Sequence, residues 1–342
     1  MWQVIGQDHA IRQLTAGLEL DRLSHAYLLV GPPHVGKRTL ALNLAQAVNC
    51  TPEGDTVPCG QCSQCRRIAA GHHADVRVIG LDQGNSGGPQ RREISIDDIR
   101  TVSGQAHLKP YEGACRVYIF EDAETMSEEA ANALLKTLEE PPPQTLLILL
   151  TSQEDRLLPT ISSRCRRIEL RPMPQEEIAS YLEKSRSVEK GDAERLARLS
   201  RGSLGWALLA LQDSLVLERR KSELDRLIGL LDAHIEQRFH AASDIASLYY
   251  RDRSEAMEVL DIWLTWWRDL LVMREGAEDS VYNQDYIDSL QQWSLRYSSR
   301  QITDFIGAVL STLKALDHNV NPRLSMEVLM LAIPGVGPRA QE

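Results

Sequence analysis

The segment Gly31-Pro-Pro-His-Val-Gly36-Lys37-Arg38-Thr39 has the residue types and spacing of a phosphate-binding loop. The apolar run 26–30 leads into it and a helical pattern leaves it, the context such a loop requires. Gly31 and Gly36 let the backbone curl so that its N–H groups and the helix N-terminus face an anion, and Lys37 is placed to reach β- and γ-phosphates. A tight strand-to-helix turn with an exposed lysine is the plainer reading. A working loop has Ser or Thr at the position of Arg38, where the hydroxyl ligates Mg²⁺. Arginine ligates no cation, and Thr39 lies about 100° further round the helix. Poor Mg²⁺ binding is expected, although backbone N–H groups could still hold ADP or ATP. The run 117–120 then delivers Glu121-Asp122, where the usual pair is Asp then Glu. Glu121 is one methylene too long for the metal side and Asp122 one too short to hold a water, so hydrolysis is expected to be very slow.

A second cluster is Cys50-x8-Cys59-x2-Cys62-x2-Cys65. Four thiolates within 16 residues, with turns supplied by Gly54, Pro58 and Gly60, can close a tetrahedral Zn²⁺ site. Such a site is structural, with no open position for chemistry. An iron–sulfur cluster or a redox Cys-x-x-Cys would use the same thiolates. His72 and His73 lie close but are not needed as ligands, and Cys115 and Cys165 are read as unligated.

These groups must be held by elements. From residue 1 to about 170, apolar runs at 26–30, 76–79, 117–120 and 146–150 alternate with helical patterns at 39–48 and 128–140. That alternation predicts a parallel sheet flanked by helices. Residues 81–92, rich in Gly, Asn, Gln and Arg, read as a surface loop. Pro172-Met-Pro174 marks a joint, after which helical patterns dominate to about residue 331, with Trp263, Trp266 and Trp267 at core-like spacing. The tail from Pro334 is expected to fray. The expected division is 1–172, 173–212 and 213–342.

No apolar run approaches the roughly 20 residues of a membrane span, and no basic-then-apolar leader is evident, so a cytoplasmic protein is expected. A net charge of −10 argues against a free-standing nucleic-acid binder, whose affinity comes mainly from neutralising phosphates. A zinc-dependent nucleic-acid module ranks last, since it calls for basic and aromatic residues around the metal, whereas residues 50–65 carry no aromatic side chain and only Arg66 and Arg67 stand at their exit.

Ile5-Gly-Gln7, Ser24-His-Ala-Tyr27, the phosphate loop, Asn132-Ala-Leu-Leu-Lys-Thr-Leu-Glu-Glu-Pro141 and Ser163-Arg-Cys165 together resemble the clamp-loader branch of the AAA+ ATPases, over roughly residues 1–210. The resemblance implies an α/β P-loop AAA+ domain with an inserted zinc module at 50–65, a small helical lid and an all-α collar for oligomerisation. Three departures separate the chain from the motor subunits of that branch. They are Arg38, the exchanged Glu121-Asp122, and Gly205 in Gly202-Ser-Leu-Gly-Trp206, where a motor subunit has a nucleotide-touching arginine. Later segments, Trp266-Trp-Arg-Asp-Leu-Leu271 and Asn321-Pro-Arg-Leu-Ser-Met-Glu-Val-Leu329, are similar to C-terminal domains of the same branch but are less diagnostic.

Within a ring-shaped pentamer, the resemblance implies, Arg164 projects into a neighbour's ATP site as an arginine finger, since a planar, permanent cation suits the charge on the γ-phosphate oxygens. An ordinary surface arginine is the alternative, with Arg166, Arg167 and Arg171 as solvated or supporting neighbours. The implied partners are gamma/tau motor subunits and the delta subunit, with the sliding clamp and primer-template DNA reached through the assembled complex. The chain itself is then expected to lack ATPase and polymerase activity. The competing expectation is an ATP-hydrolysing, gamma/tau-like motor subunit, with Gly31, Gly36, Lys37 and Thr39 still at work.

Overall fold

Short apolar runs separated by amphipathic helices produce a five-stranded parallel sheet. The computed structural model describes residues 2–51, 56–81, 93–318 and 320–335. It divides the chain into two compact units between Ala207 and Leu208. Gly54, the loop expected over 81–92 beyond Leu81, and the tail beyond residue 335 lie outside the described residues.

The first unit runs through α1 (Asp8–Glu19), β1 (Ala26–Val30), α2 (Lys37–Asn49), α3 (Ser63–Ala69), β2 (Val76–Ile79), α4 (Ile96–Ala106) and β3 (Arg116–Phe120). It continues through α5 (Glu128–Glu139), β4 (Thr145–Thr151), α6 (Pro159–Ser162), β5 (Arg166–Glu169), α7 (Gln175–Arg186) and α8 (Lys190–Leu199), while α9 (Leu204–Gln212) spans the division. The strand order is β2-β3-β4-β1-β5 and every pairing is parallel. All seven residues of β4 are buried, the signature of a strand covered on both faces.

Because side chains alternate along a strand, β1 feeds two cores. Tyr27 and Leu29 pack with Leu40 and Leu44 of α2, whereas Ala26 and Leu28 pack with Ile99 of α4 and Leu134 of α5. α5 starts where the Ser127 hydroxyl accepts the Ala130 N–H and stops before Pro141, where proline cannot continue a helix. Fully buried Gln7 ties the chain entering α1 to the chain leaving β5. Its Nε2 donates to Arg171 O at 2.7 Å and its Oε1 accepts from Arg171 N at 3.1 Å.

The second unit is helical: α10 (Ser214–Leu231), α11 (Ile235–Arg251), α12 (Arg253–Arg274), α13 (Ile287–Ser294), α14 (Ser299–Asp317) and α15 (Pro322–Ala332). Trp263, Trp266 and Trp267 of α12 are fully buried, and the Trp267 ring lies 4.4 Å from Phe305 and 5.5 Å from Tyr297, centroid to centroid. They are core residues. Buried Asp269 on the same helix accepts the backbone N–H groups of Tyr282 and Asn283 and the Asn283 amide, fixing the chain ahead of α13. Among the described residues no helix is long and apolar enough to cross a membrane.

Candidate functional site

The carboxyl edge of a parallel sheet is where such folds present ligand-binding loops. Gly31–Gly36 leaves β1 there, and Glu121-Asp122 leaves β3 on the other side of β4. Gly36 is the N-cap of α2 at φ 108°, a left-handed conformation that costs glycine little, and no side chain caps the helix. The loop therefore has the predicted strand–turn–helix form.

Lys37 Nζ turns back to donate to Gly31 O at 2.6 Å and Pro32 O at 2.9 Å. Burial holds the Lys37 pKa below its usual value, opposed by the carboxylates of Glu124 and Asp122. Arg38 Nε meets Glu121 Oε1 at 2.6 Å, so a fixed guanidinium faces the carboxylate expected on the metal side. Asp122 sits at φ 49° at the start of a short 3₁₀ turn, and its carbonyl accepts from Thr125 N and Oγ1. Glu124 Oε1 accepts from Ser152 N at 3.1 Å and Ser152 Oγ at 2.9 Å.

The first turn of α9 and the residue before it lie directly on the loop. Ser203 Oγ donates to Pro33 O at 2.9 Å and Gly205 N donates to His34 O at 3.0 Å. A Cβ at Gly205 would lie 2.5 Å from His34 O, so only glycine fits this approach without movement. Sequence reasoning found Gly205 as a missing charge; it could not find this contact, nor the parts played by Ser203, His34 and Glu124. Their partners lie tens to more than a hundred residues away, where no periodicity links them.

Arg164 follows α6, whose first residue is Pro159. Arg164 Nη1 donates to Thr160 O at 2.9 Å and Nη2 pairs with Glu139 Oε1 at 2.6 Å, at the end of α5. Arg167 differs: its Nε reaches both Glu154 carboxylate oxygens at 2.9 Å and its Nη1 reaches Glu169 Oε2 at 3.1 Å. Those paired carboxylates raise the Arg167 pKa. Arg166 and Arg171 are exposed.

The four sulfurs of Cys50, Cys59, Cys62 and Cys65 converge, all within 4.8 Å of one another. Cys65 Sγ lies 3.7 Å from Cys50 Sγ and 4.0 Å from Cys59 Sγ. Tetrahedral Zn–S bonds of about 2.3 Å place sulfurs about 3.8 Å apart, so the donor set and spacing fit a metal ion such as zinc. The four cysteines could therefore hold one, supplying a structural cross-link between the end of α2 and the start of α3. Backbone N–H groups of Gln61 and Cys62 point at Cys59 Sγ and lower its pKa. Burial pushes the Cys62 thiol up, but N–H donors and Thr51 outweigh it and bring it to about 6.

His73 stands outside the cluster: its Nε2 meets Gln64 Oε1 at 2.6 Å and its Nδ1 accepts the Asp75 N–H at 3.1 Å. Cys115 and Cys165 also stand apart, and burial pushes both thiols up to about 12, with Asp75 adding to the rise at Cys115. Next to the cluster, buried Asp75 accepts the N–H groups of Tyr111, Glu112 and Gly113, each at 2.8 Å.

A parallel sheet with a phosphate loop after its first strand, an acidic pair after its third and helices on both faces defines a P-loop protein of the AAA+ type. Residues 6–174 match the family described as DNA polymerase III, delta subunit, and residues 218–334 match its C-terminal counterpart. DNA polymerase III subunit delta-prime of Bacillus subtilis is 32% identical over 96% of this chain and 96% of its own length. The chain belongs to that delta-prime family of DNA polymerase III clamp-loader subunits. The tau subunit of B. subtilis is 27% identical over 96% of this chain, which spans 60% of that longer relative. A gamma-subunit-related protein from Thermotoga maritima aligns over 94% of this chain and 98% of its own with a TM-score of 0.41 at 20% identity.

Proposed function

We propose that this chain is the catalytically degenerate subunit of a sliding-clamp loader, completing a gamma/tau neighbour's ATP site with Arg164. The observation that carries the degeneracy is the Arg38–Glu121 pair at 2.6 Å, which sets a guanidinium against the carboxylate that a working loop reserves for Mg²⁺. The self-bonded Lys37 and the lid segment seated on Pro33 and His34 support the same reading. Arg164 stands just past a short helix and immediately before β5, at the amino edge of the sheet and away from the chain's own phosphate loop, a base from which to reach a second subunit.

In this reading residues 173–212 are the lid and 213–342 the collar through which the chain joins gamma/tau and delta. The clamp and primer-template DNA are engaged by the assembly. The four cysteines hold structural Zn²⁺, and the protein works in the cytoplasm. The test is ATP turnover of the reconstituted loader, with clamp and DNA, comparing the wild type with Arg164→Ala after both are shown to assemble. A finger contributes on the order of 10³–10⁵ at a single site, diluted in a ring with several sites. Loss of turnover and clamp loading with assembly intact is expected; unchanged turnover would overturn the finger assignment.

A motor-like reading draws on the intact Gly31, Gly36 and Lys37 and on the tau resemblance. It requires ATP hydrolysis by the isolated chain.

A further inference from the structure

Arg164 is not held out into solvent. Its guanidinium is divided among acceptors of its own chain, Thr160 O at 2.9 Å and more distantly Ser163 Oγ at 3.5 Å through Nη1, and the Glu139 carboxylate through Nη2. Glu139 is the last residue of α5 and Thr160 lies within α6, so two helix ends converge on one cation. The negative ends of both helices add to the attraction. The carboxylate partner, however, is half exposed, with the Glu139 side chain at 52% and that of Arg164 at 36% of full accessibility.

We propose that Glu139 is a positioning residue that sequesters Arg164 within the chain and releases it only in competition with a neighbour's nucleotide phosphates. The inference rests on Arg164 acting in trans. A guanidinium bonded to a carboxylate has part of its charge neutralised and part of its donor set occupied. A polyphosphate offers more charge and more acceptors, so it wins, and the cost of breaking the pair is taken from ATP binding. That cost is the same for bound ATP and for the transition state, because both require the freed guanidinium. It therefore appears in KM and not in kcat. An ion pair this exposed sets the scale at up to about fivefold, equivalent to about 1 kcal/mol. The retained bond to Thr160 O keeps the side chain aimed while Nη2 is exchanged.

The experiment has two arms, both using Glu139→Gln, which keeps size and removes charge. In the isolated full chain, phenylglyoxal modification of Arg164 is followed by mass spectrometry of its peptide, and the rate is expected to rise several-fold over wild type. In the reconstituted loader with clamp and primer-template DNA, KM for ATP is expected to fall up to about fivefold with kcat held. The same substitution in an Arg164→Ala background is expected to leave KM where Arg164→Ala alone puts it. Unchanged modification, an unchanged KM, a fall in kcat, or an effect that survives in the Arg164→Ala background would each overturn the proposal. Failure of the finger reading is separable. It shows as undiminished turnover of Arg164→Ala, while the modification rate still reports whether Glu139 holds the guanidinium.

Discussion

Replacing Gly205 by alanine tests how firmly the chain at 203–205 is held on the loop that follows β1. The added methyl group would lie 2.5 Å from His34 O and 3.3 Å from His34 C, both backbone atoms that cannot swing aside. Carbon–oxygen contacts settle at about 3.3–3.6 Å, so the two segments must part by nearly 1 Å. The Gly205 N–His34 O bond, 3.0 Å in the native chain, then passes beyond hydrogen-bond range, and the Ser203 Oγ–Pro33 O bond beside it is strained. Two hydrogen bonds at about 1 kcal/mol each, with an overpacking cost of about 1–3 kcal/mol, bring the destabilisation to about 3–5 kcal/mol. For a unit of this size that corresponds to a fall in Tm of at least about 6 °C, measured by circular dichroism. Amide exchange over residues 203–207 should accelerate in parallel. Gly191→Ala is the control: it lies in α8 with nothing within 4 Å of the added atom, and a gain of about 0.5–1 kcal/mol is expected. If Gly205→Ala melts with or above the wild type, the contact of residues 203–205 with the loop contributes little, and that support for the proposed closed nucleotide site is withdrawn.

Two further outcomes follow from the polar groups around the cysteine cluster. Burial works to raise the Asp75 pKa, but the N–H groups of Glu112, Tyr111 and Gly113, with Arg116, outweigh it and hold the carboxyl below its usual value. Its contribution is therefore full above the unfolded carboxylate range near 3.9 and is lost as pH falls through the lower folded value. Asp75→Ala should cost about 3 kcal/mol at neutral pH, read from urea unfolding, with the deficit shrinking in acid; a deficit that grows toward low pH would refute this. Cys62→Ser should remove bound metal, measured as zinc per chain by elemental analysis, and wild-type zinc should be released on acidification because thiolate ligands must lose their protons to bind. Full zinc content in Cys62→Ser would exclude that residue as a ligand.

Local pattern made the sheet legible and long-range contact kept the rest hidden. β1 and β2 coincide with the apolar runs, and β3 and β4 extend beyond theirs by one residue at one or both ends. Those strands are buried enough for composition alone to mark them. β5, Arg166–Glu169, escaped because an edge strand with one buried residue, Ile168, presents as a charged surface segment. The cysteine cluster was readable because all four cysteines lie within one short stretch. Arg38 was readable as a lost hydroxyl, yet its bond to Glu121 spans 83 residues of chain and belongs to the sheet order, which no periodicity encodes. The pairing of Arg164 with Glu139 is hidden for the same reason.

The buried indoles of α12 have a practical consequence. Of the six tryptophans, Trp263, Trp266, Trp267 and Trp293 lie in the core of the second unit, while only Trp2 and Trp206 belong to the first. Intrinsic emission is therefore weighted toward one half of the molecule. A fluorescence melt follows the loss of the helical unit, whereas thiol titration of the cysteine cluster follows the other. Observed together in one cuvette, the two optical signals give each half its own unfolding curve without a label, a truncation or a fusion partner.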